Sequence, residues 1–215
     1  MREAVGLSSF FTIGAELAAP ERALADTVRV RGAACLLTGV ASPGGESRDA
    51  GIAAAAALAD GTDVPVVAVP TSTALLPQTA LVCVDLTEPS LRAAAAALPF
   101  LADDGALTLV HVVPTMTGAS DAGAAWIDAG VRTAEQRLPR LAEELSRAGV
   151  RTETLLLHGE PAEVLADRVP GFDLVVLGTP RRSRERRTTP GGVWDTATSL
   201  ARGSLLFAPR DPQAR

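Results

Sequence analysis

ALVCVDLTEPSLRAAAAALPFLADDGALTLVHVV, residues 80–113, is the stretch that decides the fold. Ala80 to Val84 is a continuous apolar run ending at Asp85. Glu88-Pro89-Ser90 then makes a good helix start, because proline in the first turn gives up only an N–H that would go unpaired there anyway. Leu91, Ala94, Leu98 and Leu101 follow at helical spacing, Gly105 stops the helix, and Leu107 to Val113 forms the next buried strand.

The alternation continues downstream. A long helix carries the stripe Ile127, Val131, Ala134, Leu138, Leu141 and Leu145, whose steps of four and three suit a helix lying on a sheet. Pro139 falls inside that helix and is expected to kink or divide it, and Gly149 ends it. Thr154 to Leu157 reads as a third strand, Pro161 to Val169 as a short helix and Asp173 to Leu177 as a fourth strand. Gly192 to Arg202 is the last helix, and Leu205 to Ala208 the fifth strand, closed by Pro209. Apolar strands separated by helices imply a parallel sheet covered on both faces, an α/β doubly wound fold.

The first part of the chain repeats the end of the second. Ala23-Leu24-Ala25-Asp26 answers Val164-Leu165-Ala166-Asp167, GAACLLTG (Gly32 to Gly39) answers GFDLVVLG (Gly171 to Gly178), and PVVAVP (Pro65 to Pro70) answers SLLFAP (Ser204 to Pro209). The distance from Gly39 to Pro70 equals that from Gly178 to Pro209, which chance apolar runs rarely reproduce. The expected organisation is therefore a shortened βαβαβ copy over 1–72, a linker over 73–79, a full five-stranded domain over 80–209 and a tail over 210–215. The first copy holds counterparts of strands three, four and five, with no room for strands one and two.

Composition narrows the function. The 215 residues carry a net charge of -5 and only 3% aromatics with no Tyr, so neither nucleic acid nor an anionic membrane surface is an expected partner. Cys35 and Cys83 sit in apolar runs and read as buried thiols of a reducing compartment. His111 and His158 have no Cys or His partners at ligand spacing, so no metal site is expected, and both read as structural. Trp126 and Trp194 read as helix packing residues. No apolar stretch is long enough to span a bilayer. Glu3 and Glu16 spoil the signal-peptide pattern of residues 4–19, and the cytoplasm is the expected location.

Three segments in order resemble the universal stress protein family. VCVDLTEPSLRAAAAALPFLADDGALTLVHVVP (Val82 to Pro114) is similar to the family's first strand, helix and second strand. LLLHGEPAEVLAD (Leu155 to Asp167) is similar to its third strand and Gly-x-Pro helix start. FDLVVLG with the later Gly191-Gly192-Val193 is similar to its fourth strand and glycine loop. The resemblance implies a sheet order 3-2-1-4-5, a dimer contact through the fifth strands, and any ligand at the carboxyl ends of strands one and four. The change of winding direction marks the same crevice on physical grounds.

In nucleotide-binding members the loop after strand four reads Gly-x2-Gly-x9-Gly-Ser/Thr. Such glycines bring backbone N–H groups to phosphate oxygens, and the next helix N-terminus adds free donors and a favourable dipole. Here Gly178 and Gly191 match, while Arg181 and Gly192 replace the second glycine and the hydroxyl residue. Two roles are open to Arg181, filling the crevice or pairing with a phosphate. The run Arg181-Arg182-Ser183-Arg184-Glu185-Arg186-Arg187 reads as a solvated loop. By the resemblance, Asp85 lies near an adenosine, Val112 lines the adenine pocket and Val193 follows the loop. Asp85 equally suits hydrogen bonding to N–H groups of its own turn. The family's Gly-Ser after that Asp is Leu86-Thr87 here.

Catalytic constellations are missing. The sequence has no P-loop lysine motif, no Gly-x-Ser-x-Gly elbow and no His-x-x-x-His pair, and the Asp103-Asp104 and Glu143-Glu144 carboxylates look solvated. The expected function is non-catalytic stress-related regulation through a dimeric surface. That surface is either a homodimer or a pseudo-dimer within one chain, formed by Val66 to Val69 and Leu205 to Ala208. The alternative is an adenine-nucleotide sensor holding ATP.

Overall fold

A computed structural model describes residues 20–42, 46–73, 76–115, 121–178 and 192–209. The elements are α1 (Pro20–Arg31), β1 (Leu36–Val40), α2 (Glu46–Gly61), β2 (Val66–Pro70), β3 (Thr79–Cys83), α3 (Glu88–Ala97), β4 (Ala106–Val113), α4 (Asp121–Arg147), β5 (Arg151–His158), α5 (Pro161–Ala166), β6 (Leu174–Gly178), α6 (Val193–Leu200) and β7 (Ser204–Ala208). The strands form one seven-stranded sheet in the order β1-β2-β7-β6-β3-β4-β5. Every neighbouring pair is parallel except β2 and β7, which run antiparallel with Val67 opposite Leu206.

The sheet is covered on both faces, as its near-continuous apolar strands require. On one face Ala80, Val82, Leu107, Leu109, Leu174, Val176 and Leu206 meet Ala93, Ala94 and Ala97 of α3 and Ala134, Leu138 and Leu145 of α4. The alanine run of α3 lets that helix lie close to the strands. On the other face Leu81, Val110, Val175, Leu205 and Phe207 meet Ile52, Ala55, Leu58 and Ala59 of α2, Leu165 of α5 and Ala197 of α6. Val67 belongs to the first face and Val66 to the second, so β2 feeds both cores.

Several expectations need correction. Pro139 does not divide α4, which is 27 residues long with the proline inside it. The buried Ala134, Leu138 and Leu145, on both sides of the proline, anchor the helix across the missing hydrogen bond. The third strand starts at Arg151, not Thr154. Its exposed Arg151 and Glu153 pair with β4 at the sheet edge, where no apolar run is needed. The helix opening at Pro161 gives way after Ala166, with a separate 3-10 turn at Val169–Gly171. Trp126 is 66% exposed and is not a packing residue. Trp194, by contrast, lies against Phe207 with ring centroids 5.1 Å apart. β1 and β2 fall on the segments whose sequence answers strands four and five. The counterpart of strand three falls on residues before Pro20, outside the described residues.

Both cysteines are free and half-buried, and burial pushes the Cys83 thiol up to about 12. A thiol so raised is a poor nucleophile at neutral pH. The His111 Nδ1 lies 2.7 Å from the Val84 carbonyl, a tie between the end of β4 and the turn after β3. Among the described residues no helix is long and apolar enough to cross a membrane.

Candidate functional site at the strand carboxyl ends

Parallel strands bring their carboxyl ends to one side of the sheet. Asp85 follows β3, Val112 lies near the end of β4, Gly178 closes β6 and Gly192 is the N-cap residue of α6. Because β3 sits between β4 and β6, these positions share one rim of the sheet. Arg181 and Gly191, with the rest of the arginine run, lie outside the described residues.

Asp85 is already engaged. Its Oδ1 accepts from the Thr87 N–H at 3.0 Å and from the Thr87 hydroxyl at 2.5 Å, which closes an Asx turn ahead of α3. Thr87 occupies the N-cap of α3, yet its hydroxyl caps nothing in that helix. The Ser90 hydroxyl, in a buried side chain, donates to the Thr87 carbonyl at 3.0 Å. Partial burial pushes the Asp85 carboxyl up, but hydrogen bonds led by those from Thr87 outweigh it, so its pKa is lowered.

Leu86 adopts φ 62, a left-handed conformation that costs a β-carbon residue about 1–2 kcal/mol. The resembling pattern has glycine here, which tolerates such a φ. Leucine keeps the turn because its side chain is 8% exposed and packs into the core beneath α3 and α4. Arg137 of α4 donates to the Leu86 carbonyl at 2.9 Å, fixing the turn from outside.

Gly192 is exposed, with φ -72 and ψ 169, and a Cβ built there meets nothing within 4 Å. Nothing in the backbone therefore demands glycine. Gly192 has no side chain to cap α6, and the start of that helix carries the positive end of its dipole. Val193 and Val112 are half-buried. Fit to a nucleotide is therefore partial. Gly192 stands where the pattern has a hydroxyl residue, and Asp85 is held by its own turn.

A separate cleft of about 520 Å³ opens at the other end of the sheet. Ser72, Thr73 and Leu76, between β2 and β3, face Phe172, Asp173 and Arg202 across it. The Asp173 Oδ2 accepts from the Gln78 and Thr79 N–H groups and the Thr79 hydroxyl, each at 3.0 Å, so it staples the linker to the start of β6. This opening is far from the crevice that the topology selects, and topology is the better guide to a ligand site in a parallel sheet.

Sequence reading missed Arg48. It stands in the first turn of α2, 2% exposed, donating to the carbonyls of Ala201 and Ala41. An arginine leading into a run of alanines was the one available signal. Among the described residues no group of three His, Cys, Asp or Glu side chains gathers to hold a metal.

The universal stress protein family model matches residues 77–204. The chain is similar in structure to the universal stress protein UspA from Lactobacillus plantarum, with TM-score 0.52 and 20% identity over 63% of this chain and 99% of that one. A universal stress protein from Archaeoglobus fulgidus DSM 4304 aligns with TM-score 0.59 and 15% identity over 90% of this chain, but 66% of its own. A similar alignment joins it to a putative universal stress protein from Pseudomonas aeruginosa UCBPP-PA14, with TM-score 0.58 and 14% identity over 86% of this chain and 66% of that one. At these identities the likeness carries the fold alone. No curated protein matches the chain at a significant level.

Proposed function

The chain belongs to the universal stress protein family, and from that premise we propose that it acts without turnover, as a cytoplasmic regulatory or binding protein whose dimer-like unit lies within one chain. The observation that carries this reading is the antiparallel pairing of β2 with β7. Fifth-strand pairing resembles the family's dimer contact, and here both partners belong to the same polypeptide. Each of the two strands already has neighbours on both sides, so a second copy of the chain would have to associate elsewhere. Incubation with ATP should release no phosphate above background, and measurable turnover would overturn the reading.

A second reading is favoured by the placement of Asp85, Val112, Gly178 and Gly192 on one rim of the sheet. An adenine nucleotide such as ATP would lie over Asp85, Val112 and Gly178, with its phosphates toward Arg181, Gly191, Gly192 and Val193. Losing one charged or backbone contact costs about 1.5–3 kcal/mol. With two of four motif positions altered, a micromolar site moves toward millimolar, since each 1.4 kcal/mol is about tenfold. Calorimetry should show weak or absent ATP binding in the wild type and a gain in Arg181→Gly with Gly192→Ser. Micromolar wild-type affinity that falls on removing Arg181 would make the nucleotide sensor the better reading.

A further inference from the structure

We infer that Arg48 is a positioning residue through which the first copy holds α6, and with it Gly192 at the rim of the candidate site. The link to ligand binding rests on the nucleotide reading above; the link to α6 does not. The Arg48 side chain leaves α2 and donates through one terminal nitrogen to the carbonyl of Ala201, the C-cap residue of α6. Its other terminal nitrogen lies 3.4 Å from the carbonyl of Ala41, just past β1. One guanidinium therefore ties a loop of the first copy to a helix end of the second.

The physical match is specific. The last carbonyls of a helix have no N–H partners and carry the negative end of its dipole, so a cation with several donors suits them. Ala201 is itself 0% exposed, so its carbonyl depends on a donor from within the protein. For Arg48 the arrangement is expensive. Among the described residues it has no carboxylate within ion-pairing distance, and its buried Nε lacks a hydrogen-bond partner. Burial pulls its pKa down, and only the charge of Asp49 pushes it back. A methionine would fill the same space without burying a charge. The arginine is thus poorly explained by stability alone and well explained by setting where α6 sits.

Helix α6 needs such a hold. It has 8 residues, about 12 Å of helix, and its N-cap residue Gly192 offers no side-chain cap. Helices this short are marginal without tertiary anchors. Its other anchors are the buried Ala197, the Trp194 contact with Phe207, Val193 against the same core, and its packing on α5. Freeing the C-terminal end lets the whole short rod tilt, which moves the N–H groups at its opposite end.

The test is amide hydrogen exchange on the full chain carrying Arg48→Met. The amides of Thr196 and Ala201, bonded to the Gly192 and Ala197 carbonyls, should exchange about tenfold faster or more. Those of Leu81 and Leu109 in β3 and β4 should stay within about twofold. Arg48→Lys, which keeps the charge, should recover part of the protection, and it is the variant to read if Arg48→Met does not fold. Faster exchange everywhere by one common factor would make Arg48 a general stability residue and overturn the inference, as would no change in α6. In the Arg181→Gly, Gly192→Ser background, adding Arg48→Met should weaken ATP binding several-fold. Failure of that background to bind ATP overturns the nucleotide reading and leaves the exchange result to decide on Arg48.

Discussion

The first copy's β1-α2-β2 and the second copy's β6-α6-β7 use the same chain length between corresponding residues, Gly39 to Pro70 and Gly178 to Pro209, and divide it differently. Helix α2 has 16 residues where α6 has 8. The extra turns lie at the amino end of α2, and in sequence they correspond to the stretch that carries Gly191 and Gly192. The first copy keeps Gly39 but has Ser42, Ile52 and Ala53 where the motif would continue, and Ile52 is 5% exposed in the core. Helix α2 begins earlier, and the arginine on its first turn reaches across to the Ala201 carbonyl at the end of α6.

The sharpest test of this comparison sits at the seam. Val67 is 3% exposed and Leu206 is 0% exposed, and they face each other across the antiparallel pair. If the first copy is an integral half, Val67→Lys should cost as much as Leu206→Lys. Each buries an unpaired ammonium, so each should lose about 4 kcal/mol or more. For a chain of this size that lowers Tm by about 10 °C, readable by thermal denaturation. A mild Val67→Lys beside a severe Leu206→Lys would reduce the first copy to an appendage.

The next test sits where the copies ought to differ. Val64 precedes β2 as Gly203 precedes β7. A Cβ on Gly203 would lie 2.0 Å from the Asp173 carbonyl oxygen, a backbone atom that also receives the Ser204 N–H. Gly203→Ala must push that turn apart and should cost about 3 kcal/mol, in the range of overpacked sites. The half-buried Val64 tolerates truncation to alanine at about 1 kcal/mol. Urea titrations of the two variants compare them directly. Equal losses would mean that the close approach of Asp173 is not a real constraint on the second copy.

Much of this was legible in the sequence for physical reasons. The buried runs 80–84, 107–113 and 205–208 announced themselves because a strand covered on both faces must be apolar throughout. Edge strand β5 was half missed, since Arg151 and Glu153 need only pair backbone and face water. Helix α4 passed through Pro139 because tertiary burial outweighed a local penalty, and no local pattern reports that. At the site, the positions of Asp85, Gly178 and Gly192 on one rim followed from strand order. The left-handed Leu86 did not, because leucine ordinarily argues against such a turn. Arg48 was invisible because its partners are backbone carbonyls, which carry no sequence signature.

The smallest expected effect concerns the Asx turn, for which the first copy has no counterpart among the described residues. Asp85 has a lowered pKa, so its contribution to stability is fully present above the unfolded carboxyl value, near 3.9. That contribution disappears as the pH falls through the lower, folded value. Acidification from pH 5 to pH 2 should therefore loosen the start of α3 while the Asp85 carboxylate is being protonated. The Thr87 N–H, which donates to Asp85, and the Leu91 N–H, which donates to the Thr87 carbonyl, are the reporters. Their protection, after correction for the intrinsic pH dependence of exchange, should fall by less than about tenfold, as expected for one exposed turn. Asp85→Asn retains an acceptor oxygen but cannot titrate, so its protection should change little over the same range. The Ala55 and Leu58 amides in α2 serve as the control, because their helix packs on the opposite face of the sheet from α3. An equal acid response in α2 would place the effect in the whole fold, and would remove Asp85 as a point of difference between the copies.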